Sequence, residues 1–122
     1  MQTNRRATQF AGLLKREISI IIDRKVQDPD KGYVTVSMVK VSPDLKIASV
    51  YYTVLGDEEQ KKKSAAVLKR SAGFIRNELK PSIKSRWLPE VRFFYDDTID
   101  QAEKINQLIH KIHDDSADNK ED

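Results

Sequence analysis

From Phe10 onward apolar residues recur at Phe10, Leu13, Leu14, Ile18, Ile21 and Ile22, with Val26 just beyond, while Lys15, Arg16, Ser19 and Asp23 fill the positions between. Three-four spacing of this kind lines one face of a helix. Thr3 and Asn4 are available as N-caps, and Asp28-Pro29 supplies a stop, because the residue before a proline is pushed out of the helical region. The spacing predicts a helix over residues 5–26. The period then changes to two. After Gly32, Val34, Val36 and Met38 alternate with Thr35, Ser37 and Val39, and after the turn residues Ser42-Pro43-Asp44 the segment Ile47–Leu55 places Ala48, Val50, Tyr52 and Val54 on one side. β-Branched alternation on both sides of a turn predicts an antiparallel hairpin, with Asp44 tightening the turn.

Beyond the polar loop Gly56–Gln60, the helical period returns over residues 64–84, with Leu68, Ala72, Ile75, Leu79 and Ile83 on one stripe. Gly73 costs about 1 kcal/mol relative to alanine inside a helix, and Ser71 can bond back to its own turn, so a kink is expected at Ser71-Ala72-Gly73. Leu88-Pro89 opens a third strand, in which Val91, Phe93 and Tyr95 face inward against Arg92 and Phe94. That alternation makes Phe93 and Tyr95 core residues rather than base-stacking ones. Thr98 and Gln101 have capping-box spacing for a last helix over residues 98–112 carrying Ala102, Ile105, Ile109 and Ile112. Residues 113–122 are acidic without an apolar anchor and are expected to be a disordered tail to a single domain over residues 1–112. Three strands with helices on one face predict an α+β fold of two layers. The order is the αββααβ arrangement of type II K-homology-like domains, which bind single-stranded RNA.

Charge sharpens this picture. The overall net of +3 hides ten Lys/Arg against two Glu between Lys61 and Arg92, a local +8, whereas Phe93 to Asp122 carries three basic and nine acidic residues. With so few local anions, most of these cations lack partners nearby in sequence, the signature of a polyanion-binding face rather than a solubility surface. Lys62, Lys69, Arg76, Lys80 and Lys84 fall on the edge opposite the apolar stripe; Lys61, Lys63, Arg70 and Arg86 extend the run, and Arg5 and Arg6 form a basic arm before the first helix. A kink at Ser71-Ala72-Gly73 would offer backbone N–H groups at the start of a second helix half, where the dipole favours phosphate. Trp87 lies between basic residues as a lesser candidate contact.

Other chemistries have little support. The chain has no cysteine, which excludes disulfides, thiol catalysis and cysteine metal sites. His110 and His113 are three apart at a helix end beside Asp114 and Asp115, and Asp96, Asp97 and Asp100 are acids of the kind a helix N-terminus attracts. No nucleophile motif or glycine-rich phosphate loop is present, so no enzyme activity, cofactor, metal or small-molecule substrate is expected. No apolar run approaches the roughly 20 residues of a membrane span, and the first dozen residues lack an apolar signal core, so a cytoplasmic location is expected.

Four runs, Asp28-Pro29, Val41-Ser42-Pro43-Asp44-Leu45, Ala72-Gly73-Phe74-Ile75-Arg76 and Arg86 through Asp96 (RWLPEVRFFYD), together resemble the bacterial ribosome-binding factor A family in order and spacing, over residues 5–112. The resemblance implies a monomeric, non-catalytic assembly factor that binds the immature 30S ribosomal subunit, contacts its 16S rRNA, assists maturation including rRNA processing, and matters most in the cold. It also implies an Ala-x-Gly-type helix kink in place of the Gly-x-x-Gly loop of ordinary K-homology domains, matched in kind by Ser71-Ala72-Gly73. Lys61-Lys62-Lys63 is more basic than the family pattern. The alternative reading is a protein-interaction module of the same fold whose basic face docks an acidic partner.

Overall fold

The computed structural model describes residues 5–83 and 88–121, and for 99–100 and 113–121 it describes the backbone alone. The chain runs α1 (Arg5–Arg24), β1 (Tyr33–Val41), β2 (Ile47–Leu55), α2 (Glu58–Leu79), a 3-10 turn (Lys80–Ser82), β3 (Glu90–Tyr95) and α3 (Thr98–Glu121). β2 is the centre of the sheet, antiparallel to β1 and parallel to β3. A parallel pair cannot be joined by a tight turn, so the chain must cross over the sheet between β2 and β3, and α2 is that crossover. α1 packs on β1, and α2 packs on β2, β3 and α1. Leu14, Ile18 and Ile22 of α1, Val67, Leu68, Ile75 and Leu79 of α2, and Ala48, Val50, Tyr52 and Val54 of β2 form one core between the layers. This is the expected α+β arrangement.

Three local features depart from the periodicity. The β1–β2 register shifts between Val36 and Met38, so Val36 pairs with Tyr52 while Met38 pairs with Tyr51. One extra residue reverses the alternation. Val36 and Val39 are therefore buried and Met38 is turned out, contrary to the expectation that Val34, Val36 and Met38 share a face. The bulged Ser37 hydroxyl donates to Asp96 at 2.7 Å, with the Tyr51 carbonyl at 3.2 Å, joining β1 to the segment after β3.

The kink expected at Ser71-Ala72-Gly73 does not interrupt the helix. All three residues lie inside α2, which is helical from Glu58 to Leu79 without interruption. Anchors on both sides, Val67 and Leu68 before and Ile75 and Leu79 after, outweigh the propensity cost of one glycine. Helical geometry ends instead at the 3-10 turn, which has Pro81 near its start.

The capping residues of α3 are also shifted by one. Thr98 is the first helical residue, its N–H and hydroxyl both donate to the Asp96 carboxylate, and the Gln101 N–H donates to the Asp97 carbonyl. The helix continues past Ile112 to Glu121, in a stretch with neither glycine nor proline to stop it. Its stripe is not core: Ile105, Leu108, Ile109 and Ile112 are each 57–58% exposed.

The hairpin turn follows its expected chemistry. Asp44 accepts from the Ser42 hydroxyl and the Lys46 N–H, the Leu45 N–H donates to the Ser42 carbonyl, and Leu45 takes a left-handed conformation with φ of 62°. At the other end of the sheet, the Gly32 N–H donates to the fully buried Ser64 hydroxyl at 2.9 Å, fixing the start of β1 to α2.

Two substitutions separate the helix from the kink. Gly73→Ala adds a methyl group into open space, so a continuous helix gains up to about 1 kcal/mol in chemical denaturation; a loss of stability would show that Gly73 serves a conformation alanine cannot take. Ser64→Ala strands the Gly32 N–H and costs about 1–3 kcal/mol in the same measurement.

Candidate nucleic-acid interface

The basic edge is a by-product of how α2 is anchored. Asp57 caps it, its carboxylate accepting the Gln60 N–H at 2.9 Å, and Glu58 and Glu59 occupy the first turn, where the helix dipole favours negative charge. Once Ser64, Val67, Leu68, Ile75 and Leu79 are turned into the core, Lys62, Lys69 and, in the following turn, Lys80 point to solvent, and Arg76 lies on the same edge. Ala72 is half-buried on the margin of the stripe, and Val67, absent from the expected stripe, is fully buried.

The cations of this edge divide into two groups. In the first, the side chain is held by the protein itself. Both Nε and an Nη of Arg70 donate to the Asp28 carboxylate, at 3.2 and 2.6 Å, with Asp30 a further 3.7 Å neighbour. The Asp28 carboxyl is held below the usual carboxylate range by the Asp30 N–H and then by Arg70, and the Arg70 guanidinium is raised in turn by the Asp28 hydrogen bond. Arg76 donates to the carbonyls of Pro89 and Leu88, at 3.1 and 3.0 Å, tying the approach to β3 onto α2. Lys61 is half-buried, 3.5 Å from Glu58 and 5.3 Å from the centre of the Tyr95 ring, and Lys63 pairs with Glu59 at 3.4 Å.

In the second group, Lys62, Lys69 and Lys80 are exposed and have no partner among the described residues. Each presents an ammonium group, a mobile point charge with three donors, suited to phosphate oxygens rather than to base edges. Arg5 and Arg6 are exposed at the start of α1, whose next turn lines a groove with Lys40 and Pro43 of β1 and its turn. Lys84, Arg86 and Trp87 lie outside the described residues.

Ser71, Ala72 and Gly73 keep their place on α2, but the geometry expected of them changes. Inside a continuous helix their N–H groups are engaged in the helical ladder, so they do not form the anion-binding N-terminus anticipated from a kink. Gly73 is exposed with open space around it, and its neighbour Phe74 is 45% exposed, an aromatic surface the sequence reading passed over. The signal was available: Phe74 falls one residue before Ile75, off the buried stripe. Among the described residues no cluster of three His, Asp or Glu side chains is placed to hold a metal. Asp96 is accounted for structurally, since hydrogen bonds from Ser37 and Thr98 lower its pKa and fix the start of α3.

Residues 6–109 match the sequence pattern of the ribosome-binding factor A family. Among solved structures, the chain is similar to the crystal structure of ribosome-binding factor A from Thermus thermophilus, at 25% identity over 73% of this chain and 94% of that one, with a TM-score of 0.64. It is similar to the solution structure of a Thermotoga maritima protein described as a candidate ribosome-binding factor A, at 27% identity over 77% and 90%, with a TM-score of 0.66. A homology model of the Thermus thermophilus factor, fitted into a cryo-EM map of a complex with the 30S subunit, matches at 25% identity over 78% and 96%, with a TM-score of 0.60.

The hydrogen bonds held by Asp28 and Asp96 predict a pH dependence. Asp28 and Asp96 titrate below their ordinary value in the folded chain. The stability they confer is complete above the unfolded value of about 3.9 and is lost as pH falls through the lower folded values. Thermal midpoints recorded from pH 6 down to pH 2 therefore decline, and Asp96→Asn flattens that decline; parallel curves for the two proteins would remove Asp96 from the account.

Proposed function

The chain belongs to the ribosome-binding factor A family, and from that premise we propose that it assists maturation of the small ribosomal subunit by binding the immature 30S particle through its 16S rRNA. The observation that carries the contact is the row Lys62, Lys69 and Lys80, solvent-facing and unpaired among the described residues on an otherwise salt-bridged edge. On a rigid helix the first two are separated by about 10 Å along the axis, and Lys80 lies about 16 Å further on. Such an array meets phosphates along a structured RNA without distorting itself, and it recognises the placement of the backbone rather than a base sequence. The 30S complex of the Thermus thermophilus factor supports the same partner here.

The protein in this reading acts without covalent chemistry. It occupies a conformation-dependent site, supports processing of the precursor rRNA by stabilising one arrangement of it, and departs when that arrangement closes. It works as a cytoplasmic monomer, and low temperature, at which misfolded rRNA escapes slowly, increases the need for it. Among the described residues no helix is long and apolar enough to cross a membrane.

Charge reversal at the unpaired lysines separates binding from folding. Lys62→Glu, Lys69→Glu and Lys80→Glu combined abolish co-sedimentation with 30S particles and leave circular dichroism and the thermal midpoint unchanged. In titrations of 16S fragments the slope of log affinity against log salt falls by about two, from three lost phosphate contacts. Arg76→Ala behaves differently, lowering the thermal midpoint because the Leu88 and Pro89 carbonyls lose their donor. Undiminished 30S association of the triple variant would exclude this edge, and salt-sensitive association with 30S particles without binding to any 16S fragment would favour docking to an acidic protein.

A further inference from the structure

α1 and α2 cover one face of the sheet, and among the described residues no helix packs extensively on the other. Alternation places Tyr51 and Phe94, which pair across β2 and β3, on the face opposite Val50, Tyr52 and Phe93. Their rings stack on each other, with centroids 5.5 Å apart and planes 30° apart. Lys40 Nζ lies 5.7 Å from the centre of the Tyr51 ring, and Arg92 follows on the same face of β3, half-exposed beside Glu90. Phe94 is 44% exposed, and the bulge in β1 turns Met38 out beside Tyr51, the residue it pairs with. Neither ring lines the grooves beside α1 or α2, and Met38 and Lys40, on the edge strand, border both this face and the α1 groove.

A stacked aromatic pair that is half-buried at Tyr51 and open to solvent at Phe94 is unusual for a surface with no partner. Its composition narrows what the partner is. The aromatic faces suit a flat π-system, and Lys40, in excess of the Arg92–Glu90 ion pair, favours an anion, a combination that a nucleotide supplies in its base and phosphate. A peptide helix would need an apolar furrow, whereas here the centre of the face is a ring surface.

We propose that the helix-free face of the sheet, centred on the Tyr51–Phe94 stack and flanked by Lys40 and Arg92, is a second RNA contact that takes unpaired bases of a single-stranded segment. It rests on the RNA-binding reading above and adds to it a different surface and a different mode. A base continues the stack over the exposed Phe94 ring, and Lys40 and Arg92 meet the phosphates to either side. Recognition is tolerant of sequence, because every base has a π-face. The basic edge of α2 grips structured RNA by its backbone, while this face selects segments that are still unpaired, so the protein distinguishes an unfinished RNA from a closed one.

The test uses the full chain with short fluorescein-labelled oligoadenylate and oligouridylate, followed by anisotropy and by NMR of the aromatic rings. Tyr51→Leu with Phe94→Leu keeps apolar bulk and the fold, checked by circular dichroism, and weakens oligoadenylate binding by about tenfold for a stacked base lost, with the salt slope unchanged. Phe94→Trp retains binding. The Lys62, Lys69 and Lys80 charge reversals instead reduce the salt slope and leave ring shifts on oligonucleotide addition intact. Wild-type affinity in the leucine variant, or RNA-induced shifts confined to α2, would overturn the second contact and leave the first standing; absence of any RNA binding by the wild-type chain would overturn both. Ring shifts produced by Ile109→Gln without RNA would show that α3 occupies this face and would likewise overturn the proposal.

Discussion

Everything in this fold depends on β2 being a central strand with one face that must be dry. Its alternate residues Ala48, Val50, Tyr52 and Val54 are all buried, and both of its edges are used, one by the hairpin partner β1 and the other by β3. Three strands are too few to close on themselves, so the apolar face has to be covered by helices. The parallel pairing of β2 with β3 settles where one of them goes, because the crossover must traverse that face. α2 is therefore long, fixed at several points and unable to rotate about its axis. A cationic edge on such a helix has a defined geometry, unlike the same residues on a peripheral element. By the same logic the far side of the sheet has no such covering helix among the described residues.

The polar contacts that complete the structure act where apolar packing runs out. The buried Ser64 hydroxyl receives the Gly32 N–H where the chain enters β1. Arg76 collects the Leu88 and Pro89 carbonyls where it enters β3. Asp96 gathers Ser37 and Thr98 where it leaves β3. Each satisfies groups that a turn would otherwise leave unpaired at the margin of the core. Polar side chains of the types associated with binding are thus consumed by architecture, and the surface available to a partner is what remains.

That division explains what could be read from the sequence and what could not. The hairpin, the β2 and β3 faces, α1 and the stripe Leu68, Ile75 and Leu79 follow from periodicity, a local property that one burial face enforces. The β1 bulge does not, since an extra residue at Ser37 is defined only by the register of the partner strand. The continuity of α2 through Gly73 depends on packing at both ends, which local propensity does not contain. The basic edge was legible as composition, but not its use. Arg70 finds Asp28 at a sequence separation of 42, and Arg76 finds carbonyl groups 12 and 13 residues away, so counting acidic neighbours overstates the number of free charges. The open aromatic face was half legible: alternation put Phe94 outside, but its stacking on Tyr51 required the β2–β3 pairing.

The polarised charge of the chain takes a different meaning in this light. A net of +8 over Lys61 to Arg92 is not a uniform field. Near the start of α2 it is offset by Glu58 and Glu59 and in the middle by Asp28, whereas Glu78, already counted in that net, is paired with Lys25 at 2.7 Å. Exposed pairs of this kind contribute little to stability, on the order of 1 kcal/mol or less. Their larger effect is on presentation, because they hold long side chains in place and leave a few unpaired lysines between fixed neighbours. A uniformly free basic helix would attract any polyanion. An edge on which most cations are already committed has less attraction to spread over wrong sites, and its remaining charges favour a polyanion whose charges match their spacing.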